Sequence, residues 1–132
     1  MKNNTSTVKA KASIDAAVIT KITEHYRHAK HKHPYFCDVC LPNWLTIEQQ
    51  KKTIDYALKM SRMDIQDDIA RSRLMWDTLL NCEVWEVHDA LLRGDNAHAV
   101  EECYDAIAVL LRVVDVIEGR QTLGNPQEGE KK

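Results

Sequence analysis

Residues 83–105 read EVWEVHDALLRGDNAHAVEECYD, and the fold turns on this stretch. It carries two carboxylate pairs, Glu83 with Glu86 and Glu102 with Asp105, each at i, i+3 spacing. Within a helix that spacing puts both acids of a pair on one side of the rod. Between the pairs, Leu92-Arg93-Gly94-Asp95-Asn96 has the composition of a turn. If the turn folds the flanking segments antiparallel, four acidic groups converge on one point. Hard divalent cations such as Mg²⁺ take oxygen ligands, and a charged pocket of this kind suits them.

The helical reading extends outward on both sides. At about 100° per residue, Ile65, Ile69, Trp76, Leu79, Leu80, Val87 and Ala90 fall on one arc of the segment 65–91. Glu83 lies in the middle of that arc, where the pattern calls for an apolar side chain. An ionised carboxylate buried without a partner is costly, so buried acids are normally paired with a cation or bound to a metal. In 97–118, Val100, Cys103, Tyr104, Ile107, Leu110, Leu111 and Val114 form one apolar face. The opposite side carries Val109, Val113 and Val116 together with Glu102 and Asp105. A helix apolar nearly all round is buried on several sides, either centrally or at a subunit interface. That predicts a homo-oligomer, dimer or tetramer. Two bland alternatives stand beside this reading. Acid pairs at i, i+3 are common on solvated faces, and Glu83 could be neutralised by Arg71, Arg73 or Arg112.

Thr46 is an N-cap type with Gln49 three residues on, a capping box. From Ile47 to Arg93 there is neither Pro nor Gly, which is long for one helix. A division into two helices, or a kink, is expected around Ser61–Asp64. The last helix starts after Asp95 or Asn96 and ends near Gly119, a natural C′ residue. A first helix is expected from Ser13 as N-cap to about Lys30. Pro34 and Pro42 then make 31–45 a connecting loop, apolar enough through Tyr35, Phe36, Leu41, Trp44 and Leu45 to pack over one end of the core. Trp76 reads as core, Cys82 and Cys103 as core thiols. No segment reads as a strand. The expected architecture is all-α, an antiparallel helical bundle of four to five helices. It forms a single domain over 13–119 between polar tails at 1–12 and 120–132.

The whole chain fits this picture. Its 132 residues suit one domain. With 44% hydrophobic and 29% charged residues and a net charge of −2, it has the balance of a globular protein without a general attraction to nucleic acid. No run approaches a membrane span, and the polar start of the chain has no apolar signal core, so a cytoplasmic location is expected.

Glu-x-x-Glu, a turn with Gly-Asp, and Glu-x-x-Asp in the next helix together resemble the all-α NTP pyrophosphohydrolases of the MazG and dimeric dUTPase superfamily. The likeness covers about residues 74–118. The position before Glu83, where the family pattern often has a second acid, is Cys82. The resemblance implies a MazG-like bundle and a reaction in which water attacks the α-phosphorus of a nucleoside triphosphate (NTP or dNTP), giving the monophosphate and pyrophosphate. It implies Mg²⁺, or Mn²⁺ in its place, held by Glu83, Glu86, Glu102 and Asp105. Either Glu83 or Glu86 would accept the water proton as the catalytic base. Phosphates also want cationic donors. Arg112, seven residues beyond Asp105, is one candidate for substrate binding, with Lys30 and His33 as weaker ones.

A second constellation precedes this one. His25 and His28 are one helical turn apart, and Cys37-Asp-Val-Cys40 has knuckle-like spacing. Together they could complete a tetrahedral Zn²⁺ site. This supports an alternative function: a zinc-stabilised helical protein-interaction module without catalysis. The bland reading is a basic helix end followed by a Cys-containing loop. A di-iron bundle would need Glu-x-x-His motifs, and no His stands three residues after Glu83, Glu86, Glu102 or Asp105.

Overall fold

The computed structural model describes residues 13–36, 39, 41–42 and 44–124. Four helices account for most of them: α1 (Ala16–Lys32), α2 (Ile47–Ala70), α3 (Trp76–Leu92) and α4 (Asn96–Ile117). No strand occurs among the described residues, and none of the helices is long and apolar enough to cross a membrane. The protein is an all-α helical bundle.

The chain divides into two units between Cys37 and Asp38. The first contains α1. Its N-cap is Asp15, whose carboxylate accepts from the Ala17 N–H, so the helix starts two residues later than a Ser13 cap would put it. It also runs two residues past Lys30, and His33 closes it by donating its backbone N–H to the Ala29 carbonyl.

The second unit is a chain of α2 on α3 and α3 on α4. Helix α2 opens with the expected capping box. Thr46 accepts from the Gln49 N–H at 3.1 Å, and Gln49 Oε1 accepts from the Thr46 N–H at 2.8 Å. It then continues for 24 residues through Ser61–Asp64, where a break was expected. Ser61 does not interrupt it, because the buried hydroxyl donates back to the Leu58 carbonyl at 3.1 Å. The break comes at residues 71–75 instead. There Ser72 takes a positive φ of 54°. The Arg73 N–H reaches the Asp68 carbonyl and the Ser72 N–H the Ile69 carbonyl, the paired bonds of a Schellman motif. The same pair closes α3 at Gly94 and α4 at Gly119, both at positive φ. Only at residue 72 is the left-handed position filled by a residue other than glycine, which is why composition gave no sign of it.

Asp95 caps α4 by accepting from the His98 N–H. The three-residue link Arg93–Asp95 leaves α3 and α4 as antiparallel neighbours. The core of the second unit is made of Ile54, Leu58, Cys82, Ala90, Ala99 and Val109. Three expectations of burial fail. Trp76, the first residue of α3, is 46% exposed, and Trp44 in the loop before α2 is largely exposed, as are Tyr35 and Phe36 in the first unit. Cys103 is exposed as well. The reason for the last is the roll of α4. It turns Ala99, Glu102 and Val109 inward and leaves the more apolar stripe of Val100, Tyr104, Ile107 and Leu110 about half exposed.

Candidate metal centre

Glu83 and Glu86 stand one turn apart on α3, and the roll of α4 brings Glu102 up to them. One carboxylate oxygen from each of the three lies within 4.8 Å of the others. Glu102 is 7% exposed, while Glu83 and Glu86 are half-buried. Three acids at this distance repel one another, and burial removes the water that would screen them.

The outward oxygens of Glu102 and Glu86 are each within reach of a nitrogen. Glu102 Oε1 lies 3.1 Å from His98 Nε2, one turn back on α4. Glu86 Oε1 accepts from the Cys82 thiol at 3.7 Å and lies 3.6 Å from an Arg62 guanidinium nitrogen on α2. The inward oxygens differ. Glu83 Oε2 and Glu102 Oε2 are both buried without a hydrogen-bond partner. Two ionised carboxylates can only accept, so neither serves the other. A proton or a cation must supply what is missing. Burial, reinforced by Glu86 and Glu83, pushes the Glu102 carboxyl up to about 8. Burial also raises Glu83, and the charges of Glu86 and Asp105 add to the shift, while a bond from Glu102 opposes it. The directions agree: without a cation, Glu102 is where a proton stays.

Asp105 is exposed on α4 and is not one of the three converging groups, although its charge is felt by Glu83. Arg112 is exposed further along α4. Lys30 and His33 belong to the first unit, where the Lys30 ammonium lies 5.2 Å over the Tyr26 ring and His33 caps α1. His25 and His28 are exposed on α1, and Cys37 and Cys40 lie outside the described residues. Cys82 is buried, and burial raises its thiol. Trp85 tilts against the half-buried His88, with ring centroids 5.1 Å apart.

Two participants escaped the reading of the sequence. His98 was legible in principle, since it precedes Glu102 by four residues on the same helix side. Its spacing is His-x-x-x-Glu, with the imidazole before the acid, and not the Glu-x-x-His of a di-iron bundle. Arg62 was not legible, because its contact with Glu86 crosses from α2 to α3 at a register the sequence does not encode.

No family model matches the chain, and no curated protein or solved structure does either.

Proposed function

We propose that the chain is a divalent-cation-dependent nucleoside triphosphate pyrophosphohydrolase, converting an NTP or dNTP and water to the monophosphate and pyrophosphate. One observation carries the cation: two inward carboxylate oxygens, Glu83 Oε2 and Glu102 Oε2, are buried with no donor in a three-acid cluster. The all-oxygen donor set fits a hard ion, Mg²⁺ or Mn²⁺. The nucleotide comes from the likeness of residues 74–118 to the MazG and dimeric dUTPase superfamily.

In this reading Glu83, Glu86 and Glu102 hold the ion, with Asp105 at the rim. Such an ion, when bound, neutralises phosphate oxygens and lowers the pKa of a coordinated water. Glu83 or Glu86 accepts the proton released by the attacking water. Arg112, on the same side of α4 as Asp105, offers its guanidinium to a phosphate. The exposed stripe of Val100, Tyr104, Ile107 and Leu110 supports assembly into a homo-oligomer, dimer or tetramer, since an apolar helix face of this extent is seldom left to water. The cytoplasm is the compartment assigned, where Cys82 and Cys103 persist as thiols.

The test is pyrophosphate release from a panel of NTPs and dNTPs with Mg²⁺. Activity on at least one nucleotide, abolished by Glu102→Ala, is expected. Silence across the panel, or activity indifferent to Glu102→Ala, removes the assignment. Sedimentation of the wild type against Tyr104→Glu tests the assembly, which should fall to monomer in the variant.

A further inference from the structure

The three acids are not held in the same way. Glu102 is the most buried, and outside the acid cluster it is approached by His98, with Nε2 at 3.1 Å from Oε1. His98 is itself fixed at the start of α4. Its backbone N–H is donated to the Asp95 cap at 3.1 Å, so its side chain leaves the first turn on the side where Glu102 follows four residues later. The two oxygens of a carboxylate are rigidly linked. Fixing the outward oxygen on the imidazole therefore fixes the inward one, Oε2, which is buried and unbonded beside Glu83 and Glu86.

We propose that His98 is a positioning residue for the cation site. Its Nε2–H holds Glu102 Oε1 and so keeps Oε2 presented to the ion that Glu83 and Glu86 share. This rests on reading the three-acid cluster as a cation site. Freed of the imidazole, Glu102 has a strong incentive to turn. Both its oxygens would then be buried acceptors without donors, and a rotamer change toward solvent would relieve them. The helix backbone would remain, but the ligand would be lost for part of the time.

The experiment is titration of Mn²⁺ alone into the full chain, with the free ion followed by electron paramagnetic resonance. His98→Ala should weaken Mn²⁺ binding by about 10- to 100-fold, the range typical of groups that orient metal ligands. His98→Gln keeps an N–H donor at similar reach and should recover most of the affinity. A purely structural role would lower the melting temperature of His98→Ala and leave Mn²⁺ affinity within twofold, which overturns the proposal. So does a His98→Gln variant as weak as His98→Ala, because that result would make the imidazole itself a ligand. Glu102→Gln separates the two levels. If it loses Mn²⁺ while His98→Ala does not, the positioning role alone falls. If it binds Mn²⁺ as the wild type does, or if the wild type binds none, the cation site falls with it.

Discussion

Two acidic regions of this molecule differ in a way that a count of carboxylates hides. At the α2–α3 corner, Asp64, Asp67, Asp68 and Asp77 line an open cavity of about 330 Å³ with Arg71, Thr78 and Asn81. The cluster between α3 and α4 has three acids. Yet the corner is the quieter place. Asp68 accepts from the Met75 N–H at 3.1 Å, and Asp77 from the Thr78 N–H. Bonds from Thr78 and Met75 hold the Asp68 carboxyl below its ordinary range. Asp68 and Asp77 are thus bonded in an open cavity, and Asp68 takes the backbone N–H of Met75, where α3 lacks a side-chain cap. The smaller cluster has buried oxygens with no donor. Acids become a candidate site when burial removes their water and nothing replaces it.

The largest expected effect separates the two regions directly. Glu102→Gln should weaken Mn²⁺ binding by roughly 100-fold or more, beyond what an orienting group typically contributes. Asp67→Asn, at the corner, should leave it within twofold. Calorimetric titration of both variants checks this, and the reverse ranking would make the corner the cation site.

The second effect is on stability against pH, where the regions should have opposite signs. Glu102 sits near pH 8 in the fold against an ordinary value of 4.5. Between those values the folded chain keeps a proton that the unfolded chain has lost, so stability falls as pH rises. The slope from this group approaches about 1.4 kcal/mol per pH unit. Asp68 works the other way. Its contribution is present above the ordinary carboxyl range and is lost as pH falls through its depressed value. Chemical denaturation of the cation-free protein from pH 5 to 8 should show the decline, and Glu102→Gln should flatten it. Excess Mg²⁺ should flatten it too, because a bound cation replaces the proton.

The corner also shows what the sequence could and could not reveal. The helix starts at Thr46 and Asp95 and the stops at Gly94 and Gly119 were legible, because those residue types have local reasons to be there. The stop after Ala70 was not, since Ser72 carries no such mark. For the candidate site, the i, i+3 pairs and the misplaced acid in the apolar arc of α3 were enough to pick out Glu83, Glu86 and Glu102. The roll of α4 was not legible. Its stripe of Val100, Tyr104, Ile107 and Leu110 is the more apolar, and hydrophobicity alone would turn it inward. The fold buries Ala99 and Val109 instead, where small and β-branched side chains let α4 come close to α3. The same roll leaves Asp105 exposed while burying Glu102. Ser72→Gly tests the corner. It removes the Cβ penalty of a left-handed residue and should raise stability by about 1 kcal/mol, partly offset by the extra freedom glycine gives the unfolded chain. Equilibrium denaturation measures it, and no gain would mean that residue 72 is not held at positive φ in solution.

The smallest effect concerns the guanidinium that α2 brings to the cluster. Arg62 lies 3.6 Å from Glu86 Oε1, and its side chain is 59% exposed. Its attraction is therefore screened by water, and pairs of this kind contribute at most about 1 kcal/mol. Its influence on a metal ion should nonetheless be measurable, because a guanidinium beside a ligand competes with a second positive charge for the same carboxylate. Arg62→Gln removes that competition and should tighten Mn²⁺ binding by about two- to fivefold, the fold-change that such a pair energy allows. The sign is the informative part. His98→Ala and Arg62→Gln both delete a partner of an outward oxygen, one from a nine-tenths buried acid and one from a half-buried acid. They should move Mn²⁺ affinity in opposite directions, because Glu102 needs its donor to stay in place whereas Glu86 is anchored on α3 with the Cys82 thiol also against it. A loss of affinity in Arg62→Gln would mean that Glu86, too, depends on an external donor for its position.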